Sequence, residues 1–335
     1  MSIITRDKPF AVLTPASAQR TGCLLFLGAL VAFATFDAGS KYMISRYPPT
    51  FLNLMRYTAV ALVGIVWLLR VWRRRAHAQA TYASPAASAV SSSRATAAAS
   101  ARAAAPRPTG MLVVRGLLLC TVGTCYMTAL IWMPLSEATA IYFTAPLILV
   151  ALSPWLVHER VRVLQWLAVA VGFGGMLLIV RPGGDLPWIG TILMVVAAVC
   201  YALFQLVTRR LAGQTAGHTQ FGYATAVCWI GAALPAPFFP PAATPSAGEL
   251  LALLALGMCS GIAQVLLIAA FQRVAASTLA PLNYLQLPMA VAYSTFLFDR
   301  PPDLIAAAGI ILICGAGVFL ALGGRRPGRP GPAPR

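Results

Sequence analysis

Long apolar stretches of about 20 residues, separated by short polar turns, run along the chain from residue 20 to residue 323. A helix of about 20 residues crosses about 30 Å of hydrocarbon, so each stretch is long enough to span a bilayer. Ten spans are predicted, at 20–44, 51–72, 110–132, 137–157, 162–180, 187–210, 219–239, 249–271, 277–298 and 303–323. The runs are continuous and do not alternate, which predicts helices and not barrel strands. The turns carry chain breakers: "RYPPT", "WMPLSE", "VRPGGD" and "DRPPD". Ser246 followed by Glu249 predicts a capping box, and Ser136-Glu137 and Asp303 put oxygen or negative charge at helix starts. The expected fold class is an all-α integral membrane protein with ten transmembrane helices.

Composition supports the bilayer as solvent. Of 335 residues, 59% are hydrophobic and 10% charged, against about 25% charged in soluble domains. The net charge of +17 is explained by placement. With a cytoplasmic amino terminus, twenty Lys and Arg fall inside, four (Lys41, Arg46, Arg181, Arg300) fall outside, and Arg56 lies within span 2. That bias predicts both termini in the cytoplasm. No basic helix face with interleaved aromatics accompanies the charge, so no nucleic-acid partner is expected. The seven cysteines and three histidines show no metal-ligand spacing, and no metal or cofactor is expected. Residues 1–19 and 324–335 read as cytoplasmic tails, and the Ala/Ser/Arg-rich 76–109 as a disordered cytoplasmic loop.

The chain repeats itself. "HERVRVLQWLAVAVGFGGMLLIV" (158–180) is similar to "FDRPPDLIAAAGIILICGAGVFLAL" (298–322) at an offset of 140. "FTAPLI" (143–148) is similar to "LQLPMA" (285–290), which sets Pro146 against Pro288 and Tyr142 against Tyr284. "FDAGSKYM" (36–43) overlays "FQLVTRRL" (204–211) at an offset of 168, pairing Asp37 with Gln205 and Lys41 with Arg209. One insertion of about 28 residues in the loop after span 2 reconciles the offsets. The two repeats are expected at 20–180 and 187–323. Five spans per repeat is odd, so the halves insert with opposite orientation, an architecture recurrent in secondary transporters.

Glu137-Ala138 with Pro146, the "HER" at the end of span 4 and Gly309 with Gly315 in span 10, taken with the span count, resemble the EamA group of the drug/metabolite transporter superfamily. The segment "DAGSK" with Pro48 and Arg56 is also similar to a subset that includes riboflavin and S-adenosylmethionine uptake carriers. The resemblance implies alternating access around a central cavity between helices 3, 4, 8 and 9, with no enzymatic turnover and no cofactor. The expected function is secondary active transport of a small organic metabolite across a bacterial inner membrane, with export favoured. Uptake of a vitamin- or nucleoside-like solute is the first alternative and a membrane-embedded enzyme the second. A coupling proton and a homodimer are left open.

Candidate site residues follow from the cost of polar groups in hydrocarbon. Asp37 is the acidic residue without a helix-end or loop explanation. It lies roughly 10 Å below the outer face, and Arg56 roughly 7 Å below it. Either Lys41 or Arg56 neutralises Asp37 and locks helix 1 to helix 2, or Asp37 exchanges a proton or substrate cation for its basic partner. Pro146, Pro281 and Pro288 break spans 4 and 9, which is tolerated beside protein or a water-lined cavity. Near them lie Tyr142, Thr144, Asn283, Tyr284 and Gln286, aromatic and amide groups suited to an amphipathic solute. Trp132, Tyr126 and Gln264 are further candidates on spans 3 and 8. Gly257 and Gly261 read as packing positions.

Overall fold

Each apolar run folds as a helix in the computed structural model, which describes residues 15–81, 109–156, 162–181, 187–211, 214–215, 217–242, 244–271, 273–274 and 276–323. In chain order the helices are α1 (Pro15–Met43), α2 (Pro49–Thr81), α3 (Thr109–Ala129), α4 (Leu135–Tyr142), α5 (Ala145–Leu156) and α6 (Val163–Val180). They continue with α7 (Trp188–Leu211), α8 (Gly217–Ala233), α9 (Ala247–Phe271), α10 (Ala276–Asn283), α11 (Gln286–Phe298) and α12 (Leu304–Gly323). Helix α2 continues through residues 76–81, which were expected in the low-complexity loop. The rest of that loop, most of both tails and the span-4 "HER" lie outside the described residues.

Nine helical segments among the described residues are long and apolar enough to cross a membrane, α4 and α5 counting together as one. The expected tenth, α10–α11, does not reach that measure. Asn283, Gln286, Pro281 and Pro288 dilute its apolar character. Outward faces are apolar: Leu24, Leu251 and Ile311 are 68%, 69% and 69% exposed, a surface that suits lipid and not water.

The starts of α9 and α12 show the expected chemistry, whereas α4 begins after Pro134 with no side-chain cap and Ser136 Oγ donates to Glu137 Oε2 at 2.6 Å. Ser246 N donates to Glu249 Oε2 at 3.0 Å and Glu249 N donates to Ser246 Oγ at 3.3 Å, a reciprocal cap on α9. Asp303 accepts from the Ala306 amide at 2.8 Å and pairs with Arg181 at 2.6 Å, joining α6 to α12. The amide of Ala306 and then the Arg181 guanidinium hold the Asp303 carboxyl below the usual carboxylate range.

Packing follows an exchange of halves. Helix α1 packs on α9 as α7 packs on α3, α2 packs on α9 as α8 packs on α3, and α11 packs on α1 as α5 packs on α7. Helices α2 and α8 meet, as do α6 and α12. Exchanging α1–α6 for α7–α12 maps these pairs onto themselves. The α6–α12 contact needs glycine: a Cβ on Gly309 would stand 2.5 Å from the Gly175 carbonyl oxygen, and one on Gly175 would stand 2.7 Å from the Gly309 oxygen. Gly257 and Gly261 bring α9 against the α2 backbone near Met55, Arg56 and Val60.

The two broken helical segments, α4–α5 and α10–α11, meet where α4 packs on α11. Span 4 breaks at Phe143–Thr144 and span 9 at Tyr284–Leu285. Pro146 has no N–H for the carbonyl four residues back, nor has Pro288, so each helix loses a bond just before its proline. Thr144 Oγ1 donates to the Ile141 carbonyl at 2.7 Å, and the Leu287 amide donates to the Tyr284 carbonyl at 3.1 Å, which closes both breaks. The prolines are 142 apart but the breaks 141 apart, so Phe143, not Tyr142, stands in register with Tyr284. Those two rings pack on each other at 5.8 Å within the largest buried cluster, with Phe36, Tyr126 and Leu287.

Candidate functional site

An acid inside an apolar helix must find donors from neighbouring helices. Asp37, six residues before the end of α1, accepts a hydrogen bond from Gln286 Nε2 at 3.1 Å, at the first residue of α11. The Tyr126 hydroxyl of α3 also interacts with this carboxylate and lies 3.1 Å from Thr139 Oγ1 of α4. Asp37 thus joins α1 to the span-9 break and to α3, across 249 residues of sequence in the case of Gln286.

Neither expected basic partner bonds to it. Lys41 Nζ donates to the carbonyls of Leu130 at 2.5 Å and Met133 at 2.8 Å, just past the end of α3. Leu130 directly follows the last residue of α3, where a cation meets the negative end of the helix dipole, and Met133 lies in the turn just before Pro134, the N-cap of α4. Lys41 satisfies these two carbonyls instead of one acid. Arg56 lies over the Phe36 ring at 4.4 Å and the Tyr57 ring at 5.4 Å, and its Nε donates to Ser260 Oγ of α9 at 3.2 Å. Arg56 and Asp37 interact through space, yet the only ion pairs within 4.0 Å among the described residues are Arg46–Glu249 and Arg181–Asp303. The helix-locking ion pair expected of Asp37 is absent at bonding distance.

Aromatic side chains extend from this point. Tyr142 packs edge-on to Tyr126 at 5.4 Å and tilted against Tyr201 of α7 at 5.0 Å. Tyr201 stacks on Phe204 at 5.8 Å, and Arg115 of α3 lies over Phe204 at 4.4 Å. Arg115 Nε donates to Thr208 Oγ1 at 2.8 Å, and Nη1 to the Gln220 carbonyl at 3.1 Å. At the repeat offset of 168, Phe36 and Phe204 are counterparts, and an arginine of the amino-terminal half lies over each, Arg56 on Phe36 and Arg115 on Phe204, with a hydroxyl of the carboxy-terminal half, Ser260 or Thr208, at its Nε. Asp37, Arg56, Tyr142, Tyr201 and Gln286 remain partly exposed, above buried Phe36, Tyr126 and Phe143.

The structure therefore brings together Asp37, Arg56, Tyr142 and Gln286 of the expected set. Lys41 sits above them at the turn between α3 and α4. Thr144 is fully buried and bonded to its own helix. Tyr284 turns toward α12, where Gly317 lacks the side chain that its ring would strike. Its hydroxyl is buried without a partner. Trp132 is 41% exposed at the α3–α4 turn, and Asn283 and Gln264 are partly buried with no place in the Asp37 cluster. Arg115, Tyr201 and Phe204 were not singled out from sequence. The phenylalanine at equivalent repeat positions was the available signal.

Comparison with known proteins gives a family and a fold. The model of the EamA-like transporter family matches residues 20–181 and 188–323. The S-adenosylmethionine uptake transporter of Rickettsia bellii is 28% identical over 212 residues, covering 62% of this chain and 71% of that protein. The pseudopaline exporter CntI of Pseudomonas aeruginosa is 27% identical over 216 residues, covering 63% and 74%. A solved crystal structure superposes with a TM-score of 0.53 at 22% identity, covering 93% of this chain and 99% of that one.

Proposed function

Because the chain belongs to the EamA-like transporter family, we propose that it is a secondary carrier that moves a small organic metabolite by alternating access, using the Asp37–Gln286 cluster as its binding site. The carrying observation is the hydrogen bond from Gln286 at the span-9 break to Asp37 on α1. A bond that crosses between the two halves at a helix break can be remade when one half rocks against the other. The aromatic row of Tyr126, Tyr142 and Tyr201 offers ring faces to an amphipathic solute beside it.

In this reading α10–α11 is the tenth crossing, the repeats run over 20–180 and 187–323, and both termini face the cytoplasm of a bacterial inner membrane. The polarity of Asp37 suits a coupling proton, and the protomer is free to pair with a second copy. Export is the direction proposed from sequence. The second reading, uptake of a nucleoside- or vitamin-like solute, is favoured by the similarity to the S-adenosylmethionine uptake transporter.

Reconstitution in proteoliposomes tests both. Amino acids, flavins, nucleosides and organic cations are offered with and without an inward proton gradient. Saturable movement of one class is expected, and it should be abolished in Asp37→Asn at unchanged expression. Transport by Asp37→Asn at the wild-type rate would remove Asp37 from the mechanism, and movement of no solute would overturn the carrier reading.

A further inference from the structure

Two of the seven cysteines meet where α8 packs on α3. Glycines let these helices approach. A Cβ on Gly116 of α3 would stand 2.7 Å from Val227 Cβ, and one on Gly231 of α8 would strike Cys120 Sγ. Cys120 of α3 and Cys228 of α8 sit in that contact. Their side chains share a hydrogen bond, and they pack in one apolar cluster with Tyr57 and Ala232. Cys228 Sγ also lies 3.7 Å from the carbonyl oxygen of Gly116, one turn before Cys120. A disulfide needs a short backbone separation and sulfurs that face each other, and close glycine packing with contacting thiols supplies both.

The two thiols are not equivalent. Cys228 is fully buried, whereas Cys120 is partly exposed and also shares a hydrogen bond with the Thr124 side chain, one turn on. An incoming reagent therefore meets Cys120 first, with Cys228 beside it. An accessible attacking thiol next to a resolving one is the layout of a redox-sensing pair. The apolar surroundings set the reagent's character, because a charged oxidant is costly to bring into hydrocarbon and an uncharged one is not.

We propose that Cys120 and Cys228 are an oxidation site for a small uncharged hydroperoxide, and that the disulfide formed there ties α3 to α8. The Cys120 sulfur attacks one peroxide oxygen and the O–O bond breaks. Cys120 becomes a sulfenic acid, and the other oxygen leaves with the thiol proton as water or an alcohol. The Cys228 sulfur then attacks the Cys120 sulfur. The S–O bond breaks, the S–S bond forms, and the hydroxide leaves with the Cys228 proton as water. The thiols give up two electrons and the peroxide takes up two. The family model matches α3 in its first segment and α8 in its second, so the new bond joins the two halves. The effect on transport rests on the carrier reading above: halves tied together cannot rock, and the carrier stops.

The test treats the full chain in proteoliposomes with a small excess of hydrogen peroxide. Free thiols are blocked with N-ethylmaleimide in denaturant, the chain is reduced, and the released thiols are labelled with deuterated N-ethylmaleimide and located by mass spectrometry. Cys120 and Cys228 are expected to carry the heavy label together. Cys228→Ser should leave Cys120 as a sulfenic acid that dimedone traps, and Cys120→Ser should leave Cys228 a free thiol. Cys228→Ala serves if a buried hydroxyl unsettles the packing. Transport of the solute class that the untreated chain moves should fall at least about tenfold on oxidation and recover with dithiothreitol, while Cys120→Ser keeps its rate. Oxidised methionine does not recover with dithiothreitol, which separates that lesion from the disulfide.

Heavy label on neither cysteine, or on Cys120 paired with another, overturns the proposal. A chain cross-linked at Cys120 and Cys228 that transports at the untreated rate overturns the tie between the halves. An untreated chain that moves no solute discards the carrier reading, while the labels still decide the oxidation site.

Discussion

Replacing Lys41 by methionine separates the two roles that the residue could have. The change keeps most of the apolar stem and removes the ammonium that joins α1 to the end of α3. A hydrogen bond from a charged donor contributes about 1.5–3 kcal/mol, whereas interhelical bonds in membranes average about 0.6 kcal/mol. Two such bonds bracket the loss between about 1 and 6 kcal/mol, and a value of about 2–4 kcal/mol is expected, since both carbonyls lie at a helix end. Lys41 and Asp37 share no hydrogen bond or ion pair and have different partners, so Lys41→Met and Asp37→Asn should add, with a coupling below about 0.5 kcal/mol. Unfolding in detergent of both single variants and the double variant measures that coupling. A coupling above about 1 kcal/mol, or recovery of Lys41→Met by Asp37→Asn, would show that the two residues neutralise each other and would refute the reasoning.

Three further outcomes are expected. Gln286→Leu removes the bond to Asp37 and should weaken substrate binding by about tenfold, as measured by uptake kinetics, about 1.4 kcal/mol and near the lower end for a bond to a charged group. A KM unchanged by this substitution would detach the span-9 break from the site. Gly309→Val drives a side chain into the Gly175 carbonyl oxygen and should lower stability by about 1–3 kcal/mol, whereas Gly174→Ala, which meets nothing within 4 Å, should unfold as wild type does. Asp303 has its folded-state pKa depressed, so its contribution is present above the ordinary carboxylate range and is lost as pH falls through the depressed value. Asp303→Asn should therefore destabilise at neutral pH and differ little from wild type in strong acid, as unfolding midpoints across pH will show.

How much of the site was legible depends on the kind of residue. Asp37, Arg56, Gln286 and Tyr142 stand out in sequence because polar groups and broken helices are expensive in hydrocarbon, whatever their partners. Arg115 did not stand out. It lies close enough to the start of α3 to pass for one more basic residue on the cytoplasmic side, although it stacks on Phe204. The overlay of Tyr142 on Tyr284 slipped by one because prolines mark the loss of a bond and not the residue at which the helix breaks.

Sequence by itself determined the long apolar runs, the helical class and the family resemblance, because hydrophobic run length and residue spacing are properties of the chain as written. It also determined that an acid in span 1 needed a partner. Which partner was decided only by the tertiary structure. Four residues of helix put Lys41 beside Asp37 along the chain, but its ammonium reaches the turn between α3 and α4 and donates to the Leu130 and Met133 carbonyls there. Packing of α11 on α1 then brings Gln286 to the acid, while Arg56 is held on Phe36 by the approach of α9. Spacing along one helix limits which groups can meet, and helix packing chooses among them according to which buried polar groups would otherwise go unpaired.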